Sequence, residues 1–168
     1  GDYLPHLSRS VGAGHRVYGF EPVLDSFLAA RGTIAASALG NVYTANVALG
    51  NESRGTVLFC LQNGGNGGSH AVLAGGGACG PGLQRRVPIS QLDDLLPPER
   101  RINAIHLDVE GAELQALHGA QRTIRRWRPL VVCETGTPGD QKPEVIAFMR
   151  ALGYSVAGHA DRNTFFRG

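Results

Sequence analysis

Apolar positions fall into short runs whose spacing switches repeatedly between helical and strand periods. Leu4, Leu7 and Val11 form one helical stripe within residues 2–11, with Pro5 tolerated in its first turn. Gly12–Gly14 break that helix, and Arg16–Phe20 (RVYGF) is a short β-rich run. Glu21-Pro22 opens a second helix with Leu24, Phe27 and Leu28 on its apolar face. A further helical stretch around Ile34–Leu39 stops at Gly40-Asn41. Val42–Leu49 and Thr56–Leu61 read as strands around the turn Gly50–Gly55. Arg86–Ile89 is strand-like, and Ser90 precedes a short helix, Gln91–Leu96, halted by Pro97-Pro98. Ile102–Val109 (INAIHLDV) predicts a buried strand, followed by one helix from about Gly111 to Trp127. The continuous run Leu130–Cys133 predicts a strand covered on both faces. A helix over Pro143–Leu152 and strands at Tyr154–Gly158 and Thr164–Arg167 complete the chain. This alternation, with no internal repeat, predicts one α/β domain with a mostly parallel sheet and helices on both faces.

Composition narrows the class. The 168 residues are 42% hydrophobic and 18% charged, as in an ordinary globular domain. No apolar run approaches the roughly 18 residues of a membrane span, and the start lacks a secretory signal's basic and apolar regions. Sixteen cations face 14 anions without blocks of either sign, which gives no support for a nucleic-acid groove or a membrane-binding patch. All the cations but Lys142 are arginines, a bias expected of a GC-rich bacterial gene. Cys60, Cys79 and Cys133 share no CxxC spacing, so the expectation is reduced core thiols and a cytoplasmic location. Nine of the 24 glycines lie between Gly64 and Gly82. That segment predicts a loose hairpin or loop with a short strand at Ala71–Ala74, either a lid over a site or a tolerated insertion. It lacks the GxxxxGK[ST] of a phosphate loop.

In an open α/β sheet, ligands bind beyond the carboxyl ends of the strands. The residues there are Glu21 after RVYGF, Ala48-Leu49-Gly50 after VYTANV, Asp108-Val109-Glu110 after INAIHL, and Glu134 after LVVC. A carboxylate at the position of Glu21 can accept both hydroxyls of a cofactor ribose, and equally suits a helix N-terminus; spacing leaves both open. Asp108, Glu110 and Glu113 at the head of a helix complement its dipole, while Asp108 is also placed to point into the crevice. Gly111 permits a tight strand-to-helix turn. The spacing of Asp108, Glu110 and Glu134 compels no metal site. Asp93 and Asp94 read as surface or capping residues, and His106 as a core histidine beside a candidate site.

The segment IHLDVEGAELQALHGAQRTIRRWRPLVVCE resembles the signature of the FkbM family of S-adenosylmethionine-dependent methyltransferases. RVYGFEP, ANVALG, VPISQLDDLL and ALGYSV resemble further family steps, so the likeness covers nearly the whole chain. It implies a Rossmann-like class I methyltransferase domain over residues 1–168. The implied activity is methyl transfer from S-adenosylmethionine to a hydroxyl of a sugar, glycan or other small metabolite. It also implies cofactor contacts from Glu21, Pro22, Ala48, Leu49 and Asp108, with Asp108, Glu110 and Glu134 as candidate acceptor-side or proton-handling groups. Two departures stand out. Gly1 falls where the last glycine of the family's D-x-G-A-N-x-G loop belongs, so the first strand and most of that loop are missing. His106 replaces the family's usual Lys. The rival reading is a non-catalytic Rossmann-like remnant acting as a binding or structural module.

Overall fold

The structure is a computed structural model that describes residues 3–12, 14–61, 70–72, 84–137 and 141–168. Helix α1 (Leu4–Val11) leads into β1 (Val17–Phe20), α2 (Leu24–Ala36), β2 (Val42–Ala45) and β3 (Ala48–Leu49). Strands β4 (Gly55–Leu61), β5 (His70–Val72) and β6 (Gln84–Ser90) follow, then α3 (Leu92–Leu95) and β7 (Ala104–Leu107). The chain ends with α4 (Glu113–His118), α5 (Gln121–Trp127), β8 (Leu130–Glu134), α6 (Pro143–Ala151), β9 (Ser155–Ala160) and β10 (Asn163–Arg167).

The expected mostly parallel sheet is instead a set of mixed sheets. β1 pairs in parallel with β2. A second sheet has the order β7-β8-β10-β9, in which only β7–β8 is parallel. Antiparallel pairing is forced there because only Asp161 and Arg162 separate β9 from β10, a hairpin-length connection. The third sheet, β3-β6-β4-β5, is antiparallel apart from the two-residue β3–β6 pair. The rest of the predicted glycine-rich hairpin, beyond His70–Val72, lies outside the described residues.

The main core forms where β7, β8 and β10 meet α4, α5 and α6. Ile105, Leu107, Val131, Cys133 and Phe166 of the strands pack with Leu117, Ile124, Val145 and Met149 of the helices. Burial alternates along β7 and β8, with Ala104, His106 and Leu130 exposed. His106 is therefore not a core histidine, and LVVC is not covered on both faces. On α2, Leu24 and Leu28 are 56% and 55% exposed, so its expected apolar face does not form. Cys60 is disulfide-bonded, which corrects the expectation of three reduced thiols.

Two predicted elements are split by contacts distant in sequence. The strand over Val42–Leu49 breaks at Asn46, whose side-chain N–H groups donate to the carbonyls of Glu21 (2.8 Å) and Pro22 (3.0 Å). The helix over Gly111–Trp127 breaks at Gly119-Ala120. A Cβ on Gly119 would lie 1.9 Å from the Gly50 carbonyl oxygen, and Asp93 N–H donates to the Gly119 carbonyl at 3.0 Å. Asp93 then accepts from the N–H groups of Arg122 (2.7 Å) and Thr123 (2.8 Å), capping α5 rather than its own helix. Gly119→Ala should therefore cost about 1–3 kcal/mol or more, because backbone rather than a pliable side chain must move. Urea unfolding measures this directly.

Candidate active site

A cavity of about 1070 Å³ opens between β1 and β7, roofed in part by Leu4, Leu7 and Val11 of α1. Among the described residues β1 pairs only with β2, and β7 only with β8, so both strands turn an unpaired edge to the cavity. Its two ends differ in charge. Glu21, Asp108 and Glu110 line the end at the carboxyl termini of the strands. His15, Arg16, Arg100 and Arg101 line the opposite end. Pro22, Ala48 and Leu49 join the acidic end, so six of the predicted positions line one cavity. Glu134 is not in the lining but interacts with Asp108, which is, and Gly1 lies outside the described residues.

The Glu21 carboxylate is held by its own turn. Oε1 accepts the Val23 N–H at 2.8 Å at the start of α2, and the Glu21 N–H donates to the Ala45 carbonyl at 3.1 Å. Oε2 makes no hydrogen bond among the described residues. The helix-end role open in the sequence thus occupies one oxygen and leaves the other available to a ligand.

Asp108 and Glu134 are brought together by strand register. Leu107 pairs with Cys133 across the parallel β7–β8 ladder, so the next residues along emerge side by side. Glu134 is pushed above the usual carboxylate range by burial first, then by the charge of Asp108 and a side-chain hydrogen bond with it. Arg162 opposes that shift from the β9–β10 turn, its Nε 2.8 Å from Glu134 Oε1, while Glu110 adds to it. Glu110 and Gly111 both adopt left-handed backbone, with φ of 50° and 100°. That turn aims the Glu110 side chain at the cavity rim, and glycine alone carries the second angle without strain.

Beneath the turn lies Glu113, fully buried, which the sequence reading treated only as a helix-dipole acid. Its Oε1 accepts the Gly111 N–H (3.1 Å) and the Val109 N–H (3.4 Å), and its Oε2 pairs with Lys142 Nζ. Cys133 beside them is a free thiol pushed up to about 12 by burial, reinforced by Glu113 and opposed by Lys142, so it stays protonated and inert. Lys142 and Arg162 were missed as site residues. Being the chain's single lysine was the only signal Lys142 carried, and Arg162 carried none. Among the described residues, no group of three or more His, Cys, Asp or Glu side chains is placed to hold a metal ion.

A family model for the methyltransferase FkbM domain matches residues 1–156. The chain belongs to the FkbM methyltransferase family. A crystal structure of methyltransferase FkbM from Methylobacillus flagellatus KT, at 2.20 Å resolution, shares the fold with a TM-score of 0.64 and 17% sequence identity. That likeness covers 99% of the FkbM chain described here and 40% of the Methylobacillus protein, so the chain spans well under half of its solved relative. No curated protein matches the chain. Among the described residues of this FkbM domain, no helix is long and apolar enough to cross a membrane.

Proposed function

We propose that this FkbM domain is the catalytic part of an S-adenosylmethionine-dependent O-methyltransferase whose acceptor is a hydroxyl of a sugar, glycan or other small metabolite. The observation that carries the reading is the convergence of Glu21, Pro22, Ala48, Leu49, Asp108 and Glu110 on the acidic end of one cavity. The residues present fit the cofactor. Glu21 Oε2 is available to ribose hydroxyls, and Ala48 with Leu49 offers apolar cover for a purine ring. The acidic cavity end also suits a cationic ligand.

When bound, S-adenosylmethionine supplies a methyl group already activated on a sulfonium. The chain therefore has to bind, align and deprotonate. Glu21 binds the cofactor's sugar. Asp108, exposed on the cavity wall, orients the acceptor hydroxyl. The Asp108–Glu134 pair holds the proton that the acceptor releases, a task suited to a carboxylate such as Glu134, whose affinity for protons is raised by burial and by a like-charged neighbour. Glu110 contributes to the acceptor side of the rim.

We also propose that residues 1–168 belong to one methyltransferase-like domain, completed as a Rossmann-like class I sheet by a strand and glycine loop N-terminal to residue 1. The unpaired edges of β1 and β7 facing one cavity support this, because buried strand edges demand partners.

The test is transfer of a labelled methyl group from S-adenosylmethionine to a panel of sugars and glycans by the full-length gene product. In the same protein, Glu21→Ala should weaken cofactor binding by about 1–3 kcal/mol, the cost of hydroxyls left unpaired. Calorimetry reads this, and wild-type affinity in a folded variant would return Glu21 to the helix end alone.

A further inference from the structure

We propose that Lys142 is a positioning residue of the methyl-transfer site, acting through Glu113 to hold the segments that carry all three site acids in one geometry. The inference rests on the function proposed above.

Asp108 and Glu110 sit on the turn after β7, and Glu134 ends β8. These segments are 24 or more residues apart in sequence, yet one part-buried ion pair, with its carboxylate fully buried, joins them. Glu113 Oε1 accepts two N–H groups of the turn, from Gly111 (3.1 Å) and Val109 (3.4 Å). Glu113 Oε2 receives the Lys142 ammonium, which also donates to the Glu134 carbonyl at 3.4 Å. The Lys142 N–H donates to the Thr135 carbonyl at 2.9 Å, anchoring the residue that precedes α6 directly to the end of β8. The brace is anchored at both ends by backbone.

The turn has reason to need support. Glu110 holds a left-handed angle that costs a non-glycine residue energy, and such conformations persist only where surroundings fix them. Two N–H groups on one buried carboxylate supply that fixation. Residue choice points the same way. Arginine fills every other cationic position, yet here the chain uses its single lysine. A compact ammonium can donate to a carboxylate and a carbonyl from one atom, whereas a planar guanidinium fans its donors apart and needs more room.

The experiment combines hydrogen exchange with kinetics on the full-length gene product. In the wild type, the Val109 and Gly111 amides should exchange slowly although Gly111 itself is exposed. In Lys142→Met their protection should fall at least tenfold while that of Leu117 and Val131 in the core is kept. For methyl transfer, kcat should fall about tenfold or more, with S-adenosylhomocysteine affinity within about threefold of wild type. Lys142→Arg should fail to restore kcat. If Lys142→Met does not fold, the double variant Glu113→Gln/Lys142→Met, free of an unpaired buried charge, is measured in its place with the same expectations. Fast Val109 and Gly111 exchange in the wild type, or wild-type kcat in the folded variant, overturns the proposal. A wild type that transfers no methyl group sinks the functional reading instead, and leaves the exchange measurement to decide whether Lys142 braces the turn.

Discussion

Extending the chain beyond Gly1 by roughly 20 residues of its own reading frame, enough for a strand and its loop, should convert a broad, aggregation-prone melt into a cooperative one. The edges of β1 and β7 that face the cavity are rows of N–H and C=O groups without sheet partners among the described residues. A strand of about five residues between them would satisfy both rows and bury side chains on each face, at ~1.5–3 kcal/mol for each one fully buried. Four or five such residues amount to as much as the entire ~5–15 kcal/mol net stability of a typical domain. The same extension should raise S-adenosylmethionine affinity, because backbone N–H groups of a glycine loop bind anionic groups such as the methionine carboxylate. Differential scanning calorimetry of residues 1–168 beside the extended chain reads both effects. A sharp transition and tight cofactor binding by the shorter chain would show that the cavity is a finished site and not a strand's place.

Within the extended chain, Glu134→Gln should lower kcat by about 10²–10⁴-fold, the usual contribution of a positioned proton acceptor. Asp108→Asn should lower it by about tenfold or more. Stability should respond differently. The folded state raises the proton affinity of Glu134, so its contribution to stability is fully present below the unfolded carboxyl pKa and is lost as pH rises through the folded value. At neutral pH Glu134→Gln relieves repulsion with Asp108 and Glu110, and its Tm should equal or exceed that of the wild type. The acid limb of the kcat profile should lie above the ordinary carboxylate range. Arg162→Ala should move that limb further up, and Asp108→Asn should move it part of the way down, because burial is the largest cause of the shift, Asp108 adds to it and Arg162 opposes it. A limb that stays in place in both variants would remove Glu134 from the proton path.

Much of the site's placement was legible because it follows local rules. The acid-glycine step at Glu110-Gly111 announces a tight strand-to-helix turn, and it forms where β7 ends. Glu21 after a β-rich run lands at the strand's carboxyl end, and its carboxylate accepts the N–H of Val23 just before the following helix. What escaped the sequence depends on residues far away in the chain. Nothing local marks Asn46 as a strand breaker until Glu21 and Pro22 lie across from it. Gly119 ends a helix because the Gly50 backbone occupies the space a side chain would need. The Glu113–Lys142 brace joins residues 29 apart. His106 has the apolar neighbours of a core residue, yet the pleat leaves it exposed while Ile105 and Leu107 are buried in the core. The mixed sheet was readable in principle, since two residues between β9 and β10 permit only a hairpin.

The central claim is that the acidic end of the β1–β7 cavity holds S-adenosylmethionine for methyl transfer. Its most direct measurement is calorimetric titration of the full-length gene product with S-adenosylmethionine, using Glu21→Ala and Asp108→Asn alongside the wild type. The account predicts saturable one-to-one binding by the wild type, weakened about fivefold or more by Glu21→Ala and largely retained in Asp108→Asn, whose defect appears in turnover. A cooperatively folded wild type that binds no S-adenosylmethionine, or binding equally strong in Glu21→Ala, would contradict it.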